Sequence, residues 1–278
     1  MILDLNKWHN ALSDMKQRYQ QAPVFPHIAI DQFLDADTLQ QAAADFPPIS
    51  GDGWIHYQHV NEDKGGLNKR DLIPPRLLAI IDRLNSPDFV AWLSELTGIP
   101  NLVPDTALEG GGLHQIERGG FLNIHADFTV HPHHRMWRRR VNVLVYLNDD
   151  WQDSFGGHLE LWTRDMKQCF EKIRPDFNRC VIFNTDFDSY HGHPTPLACP
   201  EDRTRRSIAL YYFTVENKPP GKVATNYRAR PEDGLKSLLI YLDKQALALY
   251  NAIKGATGIN DEAVSKILRW VGKLRGRR

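Results

Sequence analysis

Residues 121–127, Phe-Leu-Asn-Ile-His-Ala-Asp, set an imidazole at 125 and a carboxylate at 127. On extended backbone alternate side chains share a face, so His125 and Asp127 point the same way. A helical metal motif would space its histidines at i, i+4 instead, so this spacing demands a strand. An imidazole and a carboxylate from one strand, completed by a second imidazole from elsewhere, make a 2-His-1-carboxylate facial triad. Such a triad holds a non-haem Fe(II) and leaves coordination positions open. The stretch Ser-Tyr-His-Gly-His-Pro at 189–194 supplies two candidates for the second imidazole, His191 and His193, which also share a face. Taken alone, the pair at 125 and 127 reads most simply as a hydrogen-bonded pair on a strand surface, so the metal reading depends on further groups.

Those groups lie on two other strand-like stretches. On 205–213, Arg205 shares its face with Ser207 and Ala209, and a cation beside two small residues leaves room for a ligand. Arginine presents a fixed fork of donors to a carboxylate, which makes Arg205 the docking point for the far end of a dicarboxylate. On 139–148, Tyr146 shares a face with Arg140, Asn142 and Leu144, and its hydroxyl can reach the same carboxylate.

Elements that would position these residues are legible from periodicity. Apolar positions at helical spacing mark an exposed, mostly polar helix over 4–21 and a helix over 76–97. Residues 24–34 read as a strand entering a helix that Asp35 or Asp37 caps. The polar stretch 50–72 reads as a long solvated loop, with folding over a site as its alternative. From about 110 the pattern alternates, with strands at 112–117, 121–128, 139–148, 157–163, 168–174, 179–185, 189–193 and 205–215. Short strands at this spacing indicate a sandwich, barrel or double-sheet jelly roll. Gly156-Gly157 reads as a turn with positive φ. Trp137, Trp151 and Trp162 read as core or rim. Helical period returns after Pro219-Pro220-Gly221, with one stripe from Leu235 to Ile253 and a second from Val264 to Leu274.

The chain has 278 residues, enough to bury a core without staples, and its 34 basic and 34 acidic residues balance. No nucleic-acid partner is expected from that balance. Three cysteines, Cys169, Cys180 and Cys199, show no CxxC spacing and suit a reducing compartment. The start lacks a secretory pattern and no run is apolar enough to span a membrane, so the expectation is a cytoplasmic protein without a transmembrane segment.

The order His125-x-Asp127, Val145-Tyr146-Leu147-Asn148, Gly156-Gly157-His158-Leu159-Glu160-Leu161-Trp162, Ser189-Tyr190-His191, then Arg205-x-Ser207-Ile208-Ala209-Leu210-Tyr211-Tyr212-Phe213 resembles the Fe(II)/2-oxoglutarate-dependent dioxygenases, and within them the prolyl-4-hydroxylase-like branch. The resemblance covers 112–215. It implies an α+β protein whose core is a double-stranded β-helix (jelly roll) with N-terminal and C-terminal flanking helices. It divides the chain into an N-terminal region 1–109, a core 110–217 and a C-terminal amphipathic helical extension 218–278. It implies His125, Asp127 and His191 as metal ligands and catalytic centre, the Ser-Tyr-His-Gly order favouring 191 over 193. Arg205 and Tyr146 would hold 2-oxoglutarate. The implied reaction joins decarboxylation of 2-oxoglutarate by O2, giving succinate and CO2, to hydroxylation of a substrate C–H bond, with ascorbate as a reductant. An aromatic residue that the branch often carries about ten positions before the first ligand is replaced here by His114-Gln115-Ile116.

Other features leave choices open. The stretch 131–140, His-Pro-His-His-Arg-Met-Trp-Arg-Arg-Arg, fits a solvated basic loop, an anionic-substrate contact or, least well, a second metal site. Basic residues on the C-terminal stripes fit docking on the core or on a second subunit, as in a homodimer, ahead of peripheral membrane contact. A small-molecule or peptidyl substrate suits the site equally well. The rival from another class is a non-catalytic metal-binding jelly-roll module that recognises a ligand, which would have no need of a dicarboxylate clamp beside the metal.

Overall fold

The computed structural model describes residues 1–235, 237–242 and 245. Among them run helices α1 (Leu5–Asn10), α2 (Leu12–Gln20), α3 (Ala36–Ala44), α4 (Pro75–Leu84) and α5 (Pro87–Thr97). The strands are β1 (His27–Ile30), β2 (Ile55–His59), β3 (Glu62–Leu67), β4 (Val103–Pro104), β5 (Gly112–Ile116), β6 (Phe121–Ala126), β7 (Trp137–Tyr146), β8 (Leu159–Trp162), β9 (Cys169–Ile173), β10 (Cys180–Asn184), β11 (His191–His193), β12 (Arg205–Val215) and β13 (Asn226–Tyr227). They hydrogen-bond in the order β1-β10-β7-β12-β5-β3-β6-β11-β8-β9, with β2, β4 and β13 attached to β3, β12 and β6. Every pairing is antiparallel. This sheet curls into the nearly closed jelly roll expected from the alternating segments. Across its seam, His27 on β1 meets Glu171 on β9, Nε2 to Oε2 at 2.7 Å.

Alternation along β7 divides the molecule into two cores. Val141, Val143 and Val145 face outward and pack with Leu77, Ile81, Phe89 and Leu93 of α4 and α5. Tyr146 faces inward with Leu159, Leu161 and Phe183, which fill one end of the barrel. The buried Tyr212 joins the layers, its hydroxyl donating to the Leu84 carbonyl at the end of α4 (2.7 Å). That bond satisfies one of the acceptors that every helix leaves at its C-terminus.

Three expectations need correction. The helix predicted over 76–97 is two helices, because Pro87 forces Ser86 into extended backbone (φ −69°, ψ 151°) and ends the first. The helix predicted over 4–21 is also two, meeting at Ala11, and it is not simply exposed: Trp8, Met15 and Tyr19 are buried. The stretch 50–72 is not a solvated loop. It folds as the β2–β3 hairpin, and β3 enters the main sheet between β5 and β6. Its polar and glycine-rich composition masked a strand whose inward charges neutralise one another, since Glu62 accepts from His59 (2.8 Å) and pairs with Lys64 (2.9 Å). Of the two caps foreseen for α3, Asp35 is the one used, accepting from the Thr38 amide at 2.9 Å. Segments on both sides of 110–217 contribute strands: β1, β3 and β4 from before it, β13 from after it. The greater part of the two C-terminal stripes lies outside the described residues.

Leu93 is fully buried between α5 and the sheet. Leu93→Ala should lower stability by about 2–5 kcal/mol, read from the denaturant midpoint. A loss below about 1 kcal/mol would show that this helix layer is not tightly packed on the barrel.

Candidate active site

Register between two strands builds the site. β11 runs antiparallel beside β6 with His191 directly opposite His125, and their ring centroids are 4.6 Å apart. Each imidazole is oriented by its own strand: Nδ1 of His125 donates to the Asn123 carbonyl (2.9 Å) and Nδ1 of His191 to the Ser189 carbonyl (2.9 Å). A carbonyl can only accept, so Nδ1 carries a proton, and in the neutral ring that leaves the lone pair on Nε2. Both lone pairs face Asp127, one residue beyond the end of β6, with Nε2 of His125 3.4 Å from Oδ1 and Nε2 of His191 3.5 Å from Oδ2. The candidate ligand atoms of the three residues lie within 4.8 Å of one another, and no other group of this kind occurs among the described residues. Electron-rich atoms crowded in a buried site repel unless a cation sits among them, and this donor set suits Fe(II).

The electrostatics favour the form that binds a cation. Burial pushes His191 down to about 4, although the Asp127 charge pulls it upward, so the imidazole stays neutral at neutral pH. Burial pushes the Asp127 carboxyl up, but the Arg139 guanidinium beside it holds it well below the usual carboxylate range. Arg139 was not foreseen. Its Nη2 lies 2.9 Å from Asp127 Oδ2, and Nη2 and Nε also donate to Asn142 Oδ1, whose Nδ2 donates to that same Asp127 oxygen (2.8 Å). Strict alternation puts Arg140, not Arg139, on the face of Asn142. The ladder between β7 and β12 slips by one residue, from Val141 opposite Tyr212 to Arg139 opposite Phe213, and this bulge turns Arg139 inward. A second irregularity between His191 and His193 brings Gly192 against the carbonyls of Leu122 and Asn123, where a Cβ would lie 2.7 and 2.9 Å from the two oxygens. Only glycine fits there.

Arg205 is 4% exposed. It donates from Nε to the Gly157 carbonyl (2.8 Å) and from Nη2 to the Tyr146 hydroxyl (3.3 Å), and no carboxylate among the described residues pairs with it. Burial pulls its pKa down, yet an arginine remains cationic. A buried, uncompensated guanidinium is costly, and a carboxylate is the group that would neutralise it. Gly157, at φ +72°, leaves room for the guanidinium stem: a Cβ there would sit 3.0 Å from Arg205 Cδ. This explains why the glycine pair matters beyond its turn.

The structure thus brings His125, Asp127 and His191 together, and it joins Tyr146 to Arg205. His193 turns into the same interior, 4% exposed. The stretch 131–140 is only partly a solvated loop. Residues 132–135 are exposed, but His131 is buried with Nδ1 accepting from the amides of His133 and His134, and Arg139 belongs to the site. The tract does not gather into a metal site. Trp151 and Trp162 are buried, and Trp137 stacks on His134 with centroids 4.3 Å apart.

Fold and site together define a class: a jelly roll whose inner face carries a converging His-Asp-His set beside an unpaired arginine. Residues 111–213 match the family model of the 2OG-Fe(II) oxygenase superfamily. The mouse (Mus musculus) protein prolyl 3-hydroxylase OGFOD1 is 27% identical over 140 residues, which is 49% of this chain but 23% of that protein. The chain therefore spans less than a quarter of the curated relative it matches. A Pseudomonas putida prolyl-4-hydroxylase structure superposes with TM-score 0.51 and 16% identity, covering 73% of this chain and 99% of that one. A Trichoplax adhaerens prolyl hydroxylase, solved with a hypoxia inducible factor peptide, gives 0.54 and 19%, covering 75% and 91%. At these identities the likeness concerns the fold. No helix among the described residues is long and apolar enough to cross a membrane.

In the metal-free chain His191, held at about 4, and His114, pushed down to about 3 by burial and by the charges of Lys64 and Arg205, stay neutral where unfolded imidazoles near 6.5 take up protons. The unfolded state then binds more protons, so their contribution to stability is complete above about pH 6.5 and falls as pH drops toward 4. The slope is up to about 1.4 kcal/mol per pH unit for each histidine. Denaturation midpoints measured across this window should decline less steeply for His191→Gln than for the parent. Equal slopes would contradict the assignment.

Proposed function

We propose that the chain is an Fe(II)- and 2-oxoglutarate-dependent dioxygenase that hydroxylates a C–H bond. The single observation carrying this reading is the buried Arg205 guanidinium, unpaired by any described carboxylate, in the interior that also holds the His125, Asp127 and His191 donors. In this reading His125, Asp127 and His191 hold the iron, and Arg205 with the Tyr146 hydroxyl holds the distal carboxylate of 2-oxoglutarate. When bound, the iron lets O2 decarboxylate 2-oxoglutarate to succinate and CO2, with one oxygen atom passing to the substrate C–H bond.

The protein's share is positioning and charge. The backbone carbonyls of Asn123 and Ser189 fix each ring so that Nε2 faces the metal position. Arg139 and Asn142 grip one oxygen of Asp127, which keeps the carboxylate ionised and steers its other oxygen toward the metal. The Tyr146 phenol, pushed up by burial, stays protonated and can donate to a carboxylate oxygen. The rival reading, a ligand-recognition module without turnover, leaves Arg205 without a purpose.

For the substrate we propose a residue within a peptide, proline first, because the mouse relative and both solved structures are named prolyl hydroxylases. The β2–β3 hairpin brings polar side chains toward the same interior, which suits a polar peptide better than a lipid. A small metabolite is the alternative, and a cytoplasmic location accords with three free cysteines.

Succinate release should be measured with Fe(II), ascorbate and 2-oxoglutarate, adding proline-containing peptides, free amino acids and small metabolites as separate pools. Stimulation by the peptide pool, with a matching hydroxylated peptide in the mass spectrum, is the expected result. Turnover with no pool above background would overturn the enzymatic reading. Arg205→Ala should raise the KM for 2-oxoglutarate at least about tenfold while metal retention is kept, since a charged hydrogen-bonded pair is worth about 1.5–3 kcal/mol. An unchanged KM would move the clamp elsewhere. Asp127→Ala should lose both bound iron and turnover; retention of either would remove Asp127 from the centre.

A further inference from the structure

His193 stands two residues beyond His191 on β11, with Gly192 between them pressed against the opposite face by the carbonyls of β6. Both histidines are buried. His193 is 4% exposed, and neither its Nδ1 nor its Nε2 meets a hydrogen-bond partner among the described residues. Buried imidazole nitrogens are ordinarily paired. On β11 the ring stands two residues from His191, and Arg205, Lys64 and His125 are close enough to act on it. The ammonium of Lys64 is already matched by Glu62 at 2.9 Å, whereas Arg205 has no anion. Two of the groups that act on the ring, Arg205 and Lys64, are cations. The complement such a surface lacks is an acceptor-rich anion.

We propose that His193 is a second anchor for the dicarboxylate co-substrate, donating a ring N–H to one of its oxygens between the end that Arg205 holds and the end that faces the metal. In either protonation state an imidazole has at least one N–H to give, so the role needs no titration. His193 is not a metal ligand in this account, because the converging set comprises His125, Asp127 and His191. The inference rests on the dioxygenase reading.

The test titrates 2-oxoglutarate by calorimetry, without oxygen, into Mn(II)-loaded parent, His193→Val, His193→Gln and Arg205→Ala, with bound Mn(II) quantified in each. His193→Val should bind 2-oxoglutarate about tenfold more weakly, and His193→Gln, which restores an N–H donor, should return to within about threefold of the parent. Both should keep their Mn(II). If His193→Val binds like the parent while Arg205→Ala is weakened, His193 merely packs and the dioxygenase reading survives. Failure of His193→Gln to restore binding would also overturn the proposal, since shape and not the donor would then matter. Loss of Mn(II) from His193→Val would make it a ligand instead. If the parent binds no 2-oxoglutarate, the dioxygenase reading falls with the proposal; if Arg205→Ala binds it unchanged, the clamp lies elsewhere and the proposal falls alone.

Discussion

Two buried imidazole lone pairs and a half-buried carboxylate, facing one another at 3.4–3.5 Å, are the constraint around which this structure is arranged. Such atoms repel, and only a cation relieves them, so the fold must hold them in place against that repulsion. It does so through the β6–β11 register, which sets His191 opposite His125, and through backbone carbonyls that fix both rings. A slip of one residue in that register would send one imidazole to the far face. The packing that resists a slip is close at hand: the fully buried Phe183 lies 4.7 Å from the His191 ring, and β13 straps the other edge of β6 at Ala126 and His125.

Charge is the second layer. The interior contains more cationic than anionic demand: Arg139 is answered by Asp127 and Lys64 by Glu62, but Arg205 is answered by no described carboxylate. A buried guanidinium without a carboxylate partner favours an anion, and in low dielectric that preference is strong. In the proposed reading the metal and anion positions share one interior, one defined by excess lone pairs and the other by excess donors. A ligand that chelates a metal at one end and carries a carboxylate at the other fits both.

Much of this was legible in the sequence because strand alternation is a strict rule where it is obeyed. The spacing of His125 and Asp127, the faces of Tyr146 and Arg205, and eight strand segments between 112 and 215 all follow from it. What escaped lies where the rule breaks. Arg139 reaches Asp127 only because a bulge at Arg140 reverses the alternation, and no residue type in that basic run marks the bulge. The β2–β3 hairpin escaped for a different reason. Its inward strand buries Glu62 and Lys64 as a pair, so it reads as loop although it lies inside the sheet. Proline at 87 carried a readable helix break, which the apolar period across 76–97 concealed.

The most direct measurement is an anomalous difference map from crystals soaked with Mn(II) and 2-oxoglutarate without oxygen. One peak per chain is expected, within bonding distance of Nε2 of His125, Nε2 of His191 and a carboxylate oxygen of Asp127, with dicarboxylate density running from it to the Arg205 guanidinium. A peak elsewhere, or a carboxylate that leaves Arg205 unpaired, would contradict the account.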